Sequence, residues 1–148
     1  MAKITRGIRN NNPGNIRRSE GWQGLCSCQK DVSFCQFKTM EWGIRALIIT
    51  LRSYVRLHHL QYVPQMINRW APESDNNNTL AYIKQVAKAV GNGDEQAGLN
   101  YEFTTKDFTF EEGFLSSDHL FNMVKEMCKI ESQYNLERGM FEKVMGMI

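Results

Sequence analysis

The residues best suited to chemistry lie near the start of the chain. The run Arg6-Gly-Ile-Arg-Asn-Asn-Asn-Pro-Gly-Asn-Ile-Arg17 is followed closely by Gly21-Trp-Gln-Gly24. Arg and Asn side chains offer several hydrogen-bond donors in fixed geometry, and Trp offers a flat apolar face. Asn, Pro and Gly disfavour a helix or a central strand. We therefore predict a surface loop built to contact sugar rings or nucleobases, with a solvated arm containing one turn as the alternative.

Binding of a glycan in this region would use amides, a guanidinium and aromatic rings. In this hypothesis Asn12 and Asn15 orient N-acetyl groups, and the two indole rings stack on sugar faces. Each has a simpler alternative, since Asn residues beside Pro-Gly are also typical of tight turns. For Asp75, the alternative is a place in an Asn-rich loop that caps the next helix. The predicted substrate-binding residues are Asn11, Asn12, Asn15, Arg17, Trp22, Trp70 and Asp75.

Cleavage of a glycan needs a carboxylic acid that is protonated beside the scissile oxygen. Among the acids near these motifs, Glu20 is our candidate because Trp22 could exclude water from it. Arg17 and Arg18 argue against it, since nearby cations favour the ionised form. The alternative interpretation of Glu20 is a solvated turn residue.

Composition limits the class of protein. The chain has 148 residues, 42% hydrophobic and 23% charged, with a net charge of +2, which suits one globular domain. Basic residues precede the first acid, and the last fifty residues are richer in Asp and Glu. This asymmetry fits a sugar-rich or polyanionic partner near the N-terminal end, or an arm that pairs with the acidic half. Nucleic-acid binding by the early arginines, Arg6, Arg9, Arg17 and Arg18, is disfavoured because no reader motif accompanies them.

Metal and cofactor chemistry is not predicted. Cys26, Cys28 and Cys35 lie close in sequence, but a Cys-x-Cys pair with no neighbouring His is not a usual zinc spacing. No phosphate loop or dinucleotide fingerprint is present. A disulfide from Cys35 to Cys26 or Cys28 is one possibility, and reduced thiols are the cytosolic default. The chain shows no apolar signal run or membrane span, so we expect it in the cytoplasm as synthesised, or on a virion.

Apolar periodicity predicts most of the helices. One begins after Thr39 and runs through Leu57, a second starts near Pro64 and ends at Trp70, and a third runs from Leu80 to Val90. Residues 120–147 carry two further apolar helical faces. Residues 21–37 have the alternation of a hairpin, whereas residues 103–110 could be a strand or an extended loop.

The order of these motifs resembles that of small phage and prophage proteins described as virion structural or lytic-like. The resemblance is carried by Asn11-Asn-Pro-Gly-Asn-Ile-Arg17, Gly21-Trp-Gln-Gly24, Trp42-Gly43, Trp70-Ala-Pro72 and Tyr82-Ile83, within residues 6–91. It extends, at scattered positions, to glucosaminidase domains of lysozyme-like peptidoglycan hydrolases. There the general acid is a Glu at the end of a helix that precedes the Asn-Asn motif. No acid precedes Asn10 here, so the resemblance implies glycan binding more directly than catalysis.

The resemblance implies a mainly helical α+β, lysozyme-like domain over residues 1–148. A small N-terminal hairpin would pack on the helix at about 40–57 within a lysozyme-like region, residues 1–93, and residues 94–148 would add a helical extension. Tyr82 would be a second catalytic residue whose hydroxyl faces the cleft, unless it is a core aromatic. The implied function is binding of peptidoglycan glycan strands, with cleavage by a glycosidase or lytic transglycosylase reaction. The alternative is a non-catalytic virion or protein-interaction module.

Overall fold

Seven α-helices form the body of the protein, for which a computed structural model describes residues 4–148. Two short 3-10 turns, Glu73–Asp75 and Thr105–Phe108, lie between helices. No helix among the described residues is long and apolar enough to cross a membrane. In chain order the helices are α1 (Arg6–Arg9), α2 (Met40–His58), α3 (Val63–Trp70), α4 (Thr79–Val90), α5 (Glu95–Asn100), α6 (Asp118–Ser132) and α7 (Arg138–Met145).

Helix α2 is the centre of the core, as its apolar periodicity predicted. Thr39 is its N-cap residue and Glu41 lies in its first turn, where a carboxylate complements the helix dipole. The side chains of Ile44, Leu47, Ile48 and Leu51 have no exposed surface. The helix ends where His59 takes a left-handed conformation, with φ of 54°. The predicted helices α3 and α4 also form close to their expected bounds.

The C-terminal helices belong to the same core as α2. Helix α6 packs against α4, and α7 packs against α2. Their apolar faces, which include Leu120, Met127 and Phe141, are fully buried in one cluster with Leu47 and Val86. The C-terminal half therefore completes the main core, and the proposed division of the chain at residue 93 stays a prediction.

The predicted α+β, lysozyme-like fold with an N-terminal hairpin is wrong. Within residues 4–148 the only β-pairings are two isolated antiparallel bridges, Arg17 with Phe34 and Leu25 with Phe37. Residues 17–38 contain turns, bends and these two single bridges, with no continuous ladder. The described chain is therefore helical, with an irregular N-terminal segment. The segment at 103–110 is likewise neither strand nor fully extended, because it contains the 3-10 turn at Thr105–Phe108.

Side chains take the hydrogen bonds that a hairpin ladder would have used. The Gln36 side-chain oxygen accepts from the backbone N–H groups of Lys30 and Asp31, and the Asp31 carboxylate accepts from those of Ser33 and Phe34. The Arg6 guanidinium holds the pKa of Asp31 well below its usual range. Such local side-chain bonds compete with regular structure, which explains why an alternating sequence forms only two bridges.

The Asn motif lies in a loop, residues 10–18, which is called the Asn loop below and is held by a buried amide. Asn12 has no exposed surface; its amide donates to the carbonyls of Ile16 and Cys35 at 3.0 Å each and accepts from the Ile16 N–H at 2.9 Å. The loop lies directly on α2 at Gly43, where an added Cβ would stand 1.8 Å from the Asn11 carbonyl oxygen. Glycine at position 43 is therefore required for this contact.

Candidate functional site

A cleft of about 560 Å³ opens between the Asn loop, the end of α3 and the end of α6. Its walls combine aromatic rings, amides and charged groups, which is the mixture typical of ligand sites. The Asn loop, the 3-10 turn Glu73–Asp75 and helices α2, α3 and α6 each contribute to the lining. The lining side chains that bear on chemistry are Asn15, Arg17, Arg18, Trp22, Phe34, Arg69, Trp70, Asp75, Asn77 and Glu131.

Glu131 is one of the two acids in this lining, the other being Asp75. It is the last residue but one of α6, and the residue is half-buried. Its Oε2 accepts a hydrogen bond from the Tyr82 hydroxyl at 3.0 Å and another from Trp70 Nε1 at 3.1 Å. The indole N–H also donates to the Tyr82 oxygen at 3.1 Å. These contacts from α3 and α4 fix the orientation of the carboxyl group.

Asn15 approaches Glu131 from the opposite wall. Its Nδ2 donates to the Glu131 backbone carbonyl at 3.0 Å and lies 3.3 Å from the carboxyl Oε1. Its Oδ1 is buried and has no hydrogen-bond partner within the described part of the chain. Asn15 takes a left-handed backbone conformation with φ of 52°, which Asn tolerates better than most residues. Asn15 lines the cleft, and a rotation of its side chain would bring this unpaired acceptor to a ligand N–H or O–H.

The N-terminal helix brings the loop to α6. An added Cβ on Gly7 would lie 1.8 Å from the Ser132 hydroxyl oxygen, so α1 and the end of α6 touch through a residue without a side chain. The Thr5 hydroxyl donates to the Ser132 carbonyl at 2.6 Å. This contact sets the Asn loop beside Glu131, although Asn15 and Glu131 are 116 positions apart in sequence.

Tyr82 is held as a neutral phenol. It is 8% exposed, and burial raises its pKa far above the usual value, with the Glu131 carboxylate adding to the effect. A phenol in this state donates its proton in a hydrogen bond to Glu131 across the physiological pH range. Tyr82 therefore helps to fix the orientation of the Glu131 carboxyl group.

From the raised pKa of Tyr82 we predict how the free energy of unfolding changes at alkaline pH. Since the folded-state pKa of Tyr82 lies above its ordinary value of 10, its contribution is fully present below pH 10 and is lost as pH rises beyond it. Tyr82→Phe should be less stable than the wild type by about 1 kcal/mol at pH 8, through the lost hydrogen bond. The difference should shrink by up to about 1.4 kcal/mol per pH unit above pH 10. Urea unfolding of both proteins from pH 8 to 11 measures it, and a constant difference would contradict the assignment.

The cleft brings together most of the predicted binding residues. Asn15, Arg17, Trp22, Trp70 and Asp75 all line it, and Tyr82 joins it through Glu131. Asn11 and Asn12 lie outside the lining. The Asn11 amide donates to the carbonyls of Phe37 and Lys38.

The predicted acid, Glu20, lies outside the lining as well. Its side chain is exposed, whereas Glu131 is in the cleft. A catalytic Glu20 and direct ligand contacts of Asn11 and Asn12 stay predictions. The geometry instead offers Glu131 as the acid and gives the two asparagines contacts that hold the loop.

Sequence reasoning missed Glu131, although the chain carries a signal for it. The buried face of α6 includes Val124 and Met127, and Glu131 follows them by seven and four positions. An acid that continues an apolar helical face is directed towards the interior. Such a residue requires partners, and here Tyr82 and Trp70 provide them.

The fold and the cleft together define a helical protein with an acid held in an aromatic and amide-lined cleft. No family model matches the chain. Comparison with curated proteins shows that the chain is phage-related. It is 43% identical over 93 residues to Protein P5 of Pseudoalteromonas phage PM2, a match that covers 60% of this chain and 58% of that protein. The match thus spans somewhat more than half the length of this relative.

Proposed function

We propose that the protein binds peptidoglycan glycan strands in this cleft and cleaves them, with Glu131 as the general acid. The observation that carries the proposal is the carboxyl group of Glu131, which is oriented by Tyr82 and Trp70 and lies in a cleft with Asn15. A positioned carboxylic acid is the group that glycoside cleavage requires at the leaving oxygen.

The proposal gives the two carboxyl oxygens of Glu131 different roles. Oε2 accepts from Tyr82 and Trp70, and Oε1 accepts from the Asn15 amide at 3.3 Å, the longest of the three contacts. In the proposal a glycosidic oxygen replaces the Asn15 amide at Oε1, and the transferable proton is placed there. In the proposed step the bond from the anomeric carbon to the bridging oxygen breaks, and that oxygen takes the proton from Oε1. The anomeric carbon is then attacked by water or by the C6 hydroxyl of the same sugar, and the proton released returns to Glu131. Water yields a reducing end, and the C6 hydroxyl yields a 1,6-anhydro sugar.

The other lining residues suit an N-acetylated sugar polymer. After a rotation of the Asn15 side chain, its unpaired Oδ1 can accept the N–H of an acetamido group, which would satisfy an acceptor that is costly to leave unpaired. Trp22 is half-buried at the rim, and its Nε1 donates to the Ser19 hydroxyl at 3.1 Å. That bond orients the indole ring, which leaves a face for stacking on a sugar.

The phage relationship supports a role at the bacterial cell wall. A phage meets peptidoglycan when its genome enters a cell and when its progeny leave. The related Protein P5 belongs to a phage, which supports association of this chain with virions. A binding module without catalysis remains the second candidate and is favoured if sacculi are bound but not degraded.

Incubation of the purified protein with bacterial sacculi tests the proposal. We expect the protein to sediment with sacculi and to release soluble muropeptides, whose mass spectra reveal reducing or 1,6-anhydro ends. Binding without release would support the non-catalytic module. Absence of both binding and release would contradict the proposed function.

The indole at the rim gives a further prediction. Trp22→Ala should weaken sacculus binding about tenfold, which corresponds to about 1.4 kcal/mol, because it removes the stacking surface. Phe114→Ala is the matched control, since Phe114 is 67% exposed and lies outside the cleft. Co-sedimentation isotherms measure both variants. Equal affinities of Trp22→Ala and the wild type would exclude stacking by this residue.

A further inference from the structure

Arginines dominate the charge of the cleft. Arg17 and Arg18 come from the Asn loop and Arg69 from the last turn of α3, whereas the acids of the lining are Asp75 and Glu131. If Glu131 is protonated, as the proposed step requires, the three guanidinium groups face one carboxylate. All three arginines are exposed, so a ligand can reach them.

The fold does not use these arginines in ion pairs. Within residues 4–148, the salt bridges join Arg6 to Asp31, Arg138 to Asp118 and Glu142, and Lys143 to Glu41. The basic partners in these bridges all lie outside the cleft lining. The guanidinium groups of the cleft are therefore available to an external anion.

Two of the three guanidinium groups are held in place by other contacts. Arg18 donates to the Asp31 backbone carbonyl at 2.9 Å. The Arg69 guanidinium lies over the ring of Tyr54, 5.5 Å from its centroid. Tyr54 is itself buried and also lines the cleft. A cation stacked on a buried ring keeps its N–H groups free while its position is restricted, which reduces the entropy cost of binding.

Arg18 already donates to a backbone carbonyl, and we propose that the other two arginines, Arg17 and Arg69, make the cleft selective for glycan strands that carry free carboxylates. This inference rests on the proposed function and names its substrate class. Guanidinium groups match carboxylates in paired hydrogen bonds. Peptidoglycan strands carry a lactyl group on alternate sugars, which ends either in a free carboxylate or in a peptide with carboxylates of its own. A chitin chain has the same acetamido sugars without any anion.

Three sets of glycan strands test the selectivity. The first carries intact peptide stems, the second is stripped by an amidase so that only lactyl carboxylates remain, and the third has all carboxylates capped as methyl amides. For the wild type we expect KM to be about tenfold higher on capped strands, as for the loss of one charge-assisted contact. A preference between the first two sets identifies which carboxylate is bound.

Arginine variants assign the selectivity to residues. Arg69→Gln and Arg17→Gln should raise KM about tenfold on uncapped strands, leave kcat nearly unchanged, and change KM less than twofold on capped strands. Arg9→Gln is the matched control, because Arg9 is an exposed arginine outside the lining. Circular dichroism checks that each variant is folded.

The outcomes separate this inference from the proposed function. Equal KM on capped and uncapped strands, with cleavage that depends on Glu131, would overturn the selectivity and leave the function standing. Equal KM changes in Arg9→Gln and Arg69→Gln would overturn the assignment to the cleft. Failure of the wild type to bind or cleave any of the three strand sets would overturn both proposals.

Discussion

Replacement of Glu131 by Gln is expected to reduce the release of muropeptides from sacculi by about 100- to 10,000-fold, the usual cost of losing a general acid. Gln has nearly the same shape and keeps an oxygen that can accept the hydrogen bonds of Tyr82 and Trp70. It has no proton to transfer to the bridging oxygen. Sacculus binding and the circular dichroism spectrum should therefore change little. Release is measured by chromatography of the soluble products.

Glu20→Gln is the matched control for this experiment. Glu20 is an exposed acid outside the lining of the cleft, so we expect its replacement to leave release within about twofold of the wild type. Release that persists in Glu131→Gln and fails in Glu20→Gln would return the catalytic role to Glu20. Release that persists in both variants would exclude either residue as the acid.

Replacement of Asn12 by Ala should cause the largest loss of stability, about 3 kcal/mol in the free energy of unfolding. The amide makes three hydrogen bonds to the backbone of Ile16 and Cys35, and Asn12 has no exposed surface. Its removal leaves buried backbone groups without partners, and each such group costs about 1–3 kcal/mol. Urea denaturation followed by tryptophan fluorescence measures the change.

Asn68→Ala controls for the chemistry of the Asn12 substitution. The Asn68 amide donates to the Pro64 carbonyl at 2.8 Å, but on the exposed side of α3, where water replaces the lost partner. We expect a change below about 0.5 kcal/mol. Equal effects at positions 12 and 68 would mean that the buried amide does not hold the Asn loop.

The sequence predicted α2, α3, α4, α6 and α7 because their apolar faces are periodic. It did not predict α1, which lies in a run expected not to be helical, or α5. The residues of α2 that recur at helical spacing, such as Leu47 and Leu51, are the ones buried in the core. Thr39 precedes α2 and Gly91 follows α4, at the helix ends that the sequence predicted. Helices of this kind are determined by neighbours within one or two turns, which a single sequence displays.

The hairpin failed for a local reason that alternation does not reveal. Val32 and Phe34 alternate with polar residues, yet Val32 is 84% exposed. The side chains of Gln29, Asp31 and Gln36 bind the backbone groups that a partner strand would need. Which backbone groups these side chains reach depends on the path of the loop, and periodicity carries no information about it.

Sequence reasoning could place together only those cleft residues that are close in the chain. The N-terminal motif contains Asn15, Arg17 and Trp22, which line one cleft, and their role in binding stays a prediction. Glu131 joins them only because α1 packs on the end of α6 through Gly7 and Ser132. That contact joins residues 125 positions apart, and a glycine or a serine in the sequence does not indicate which residue it will contact.

The most direct test of the central claim is a crystal structure of Glu131→Gln with a bound peptidoglycan glycan tetramer. We predict that a bridging glycosidic oxygen lies within 3.5 Å, about hydrogen-bond distance, of the residue 131 amide. We also predict that an acetamido N–H donates to Oδ1 of Asn15, the acceptor left unpaired in the described part of the free protein. A tetramer bound outside this cleft, or one whose bridging oxygens all lie beyond reach of residue 131, would contradict the account.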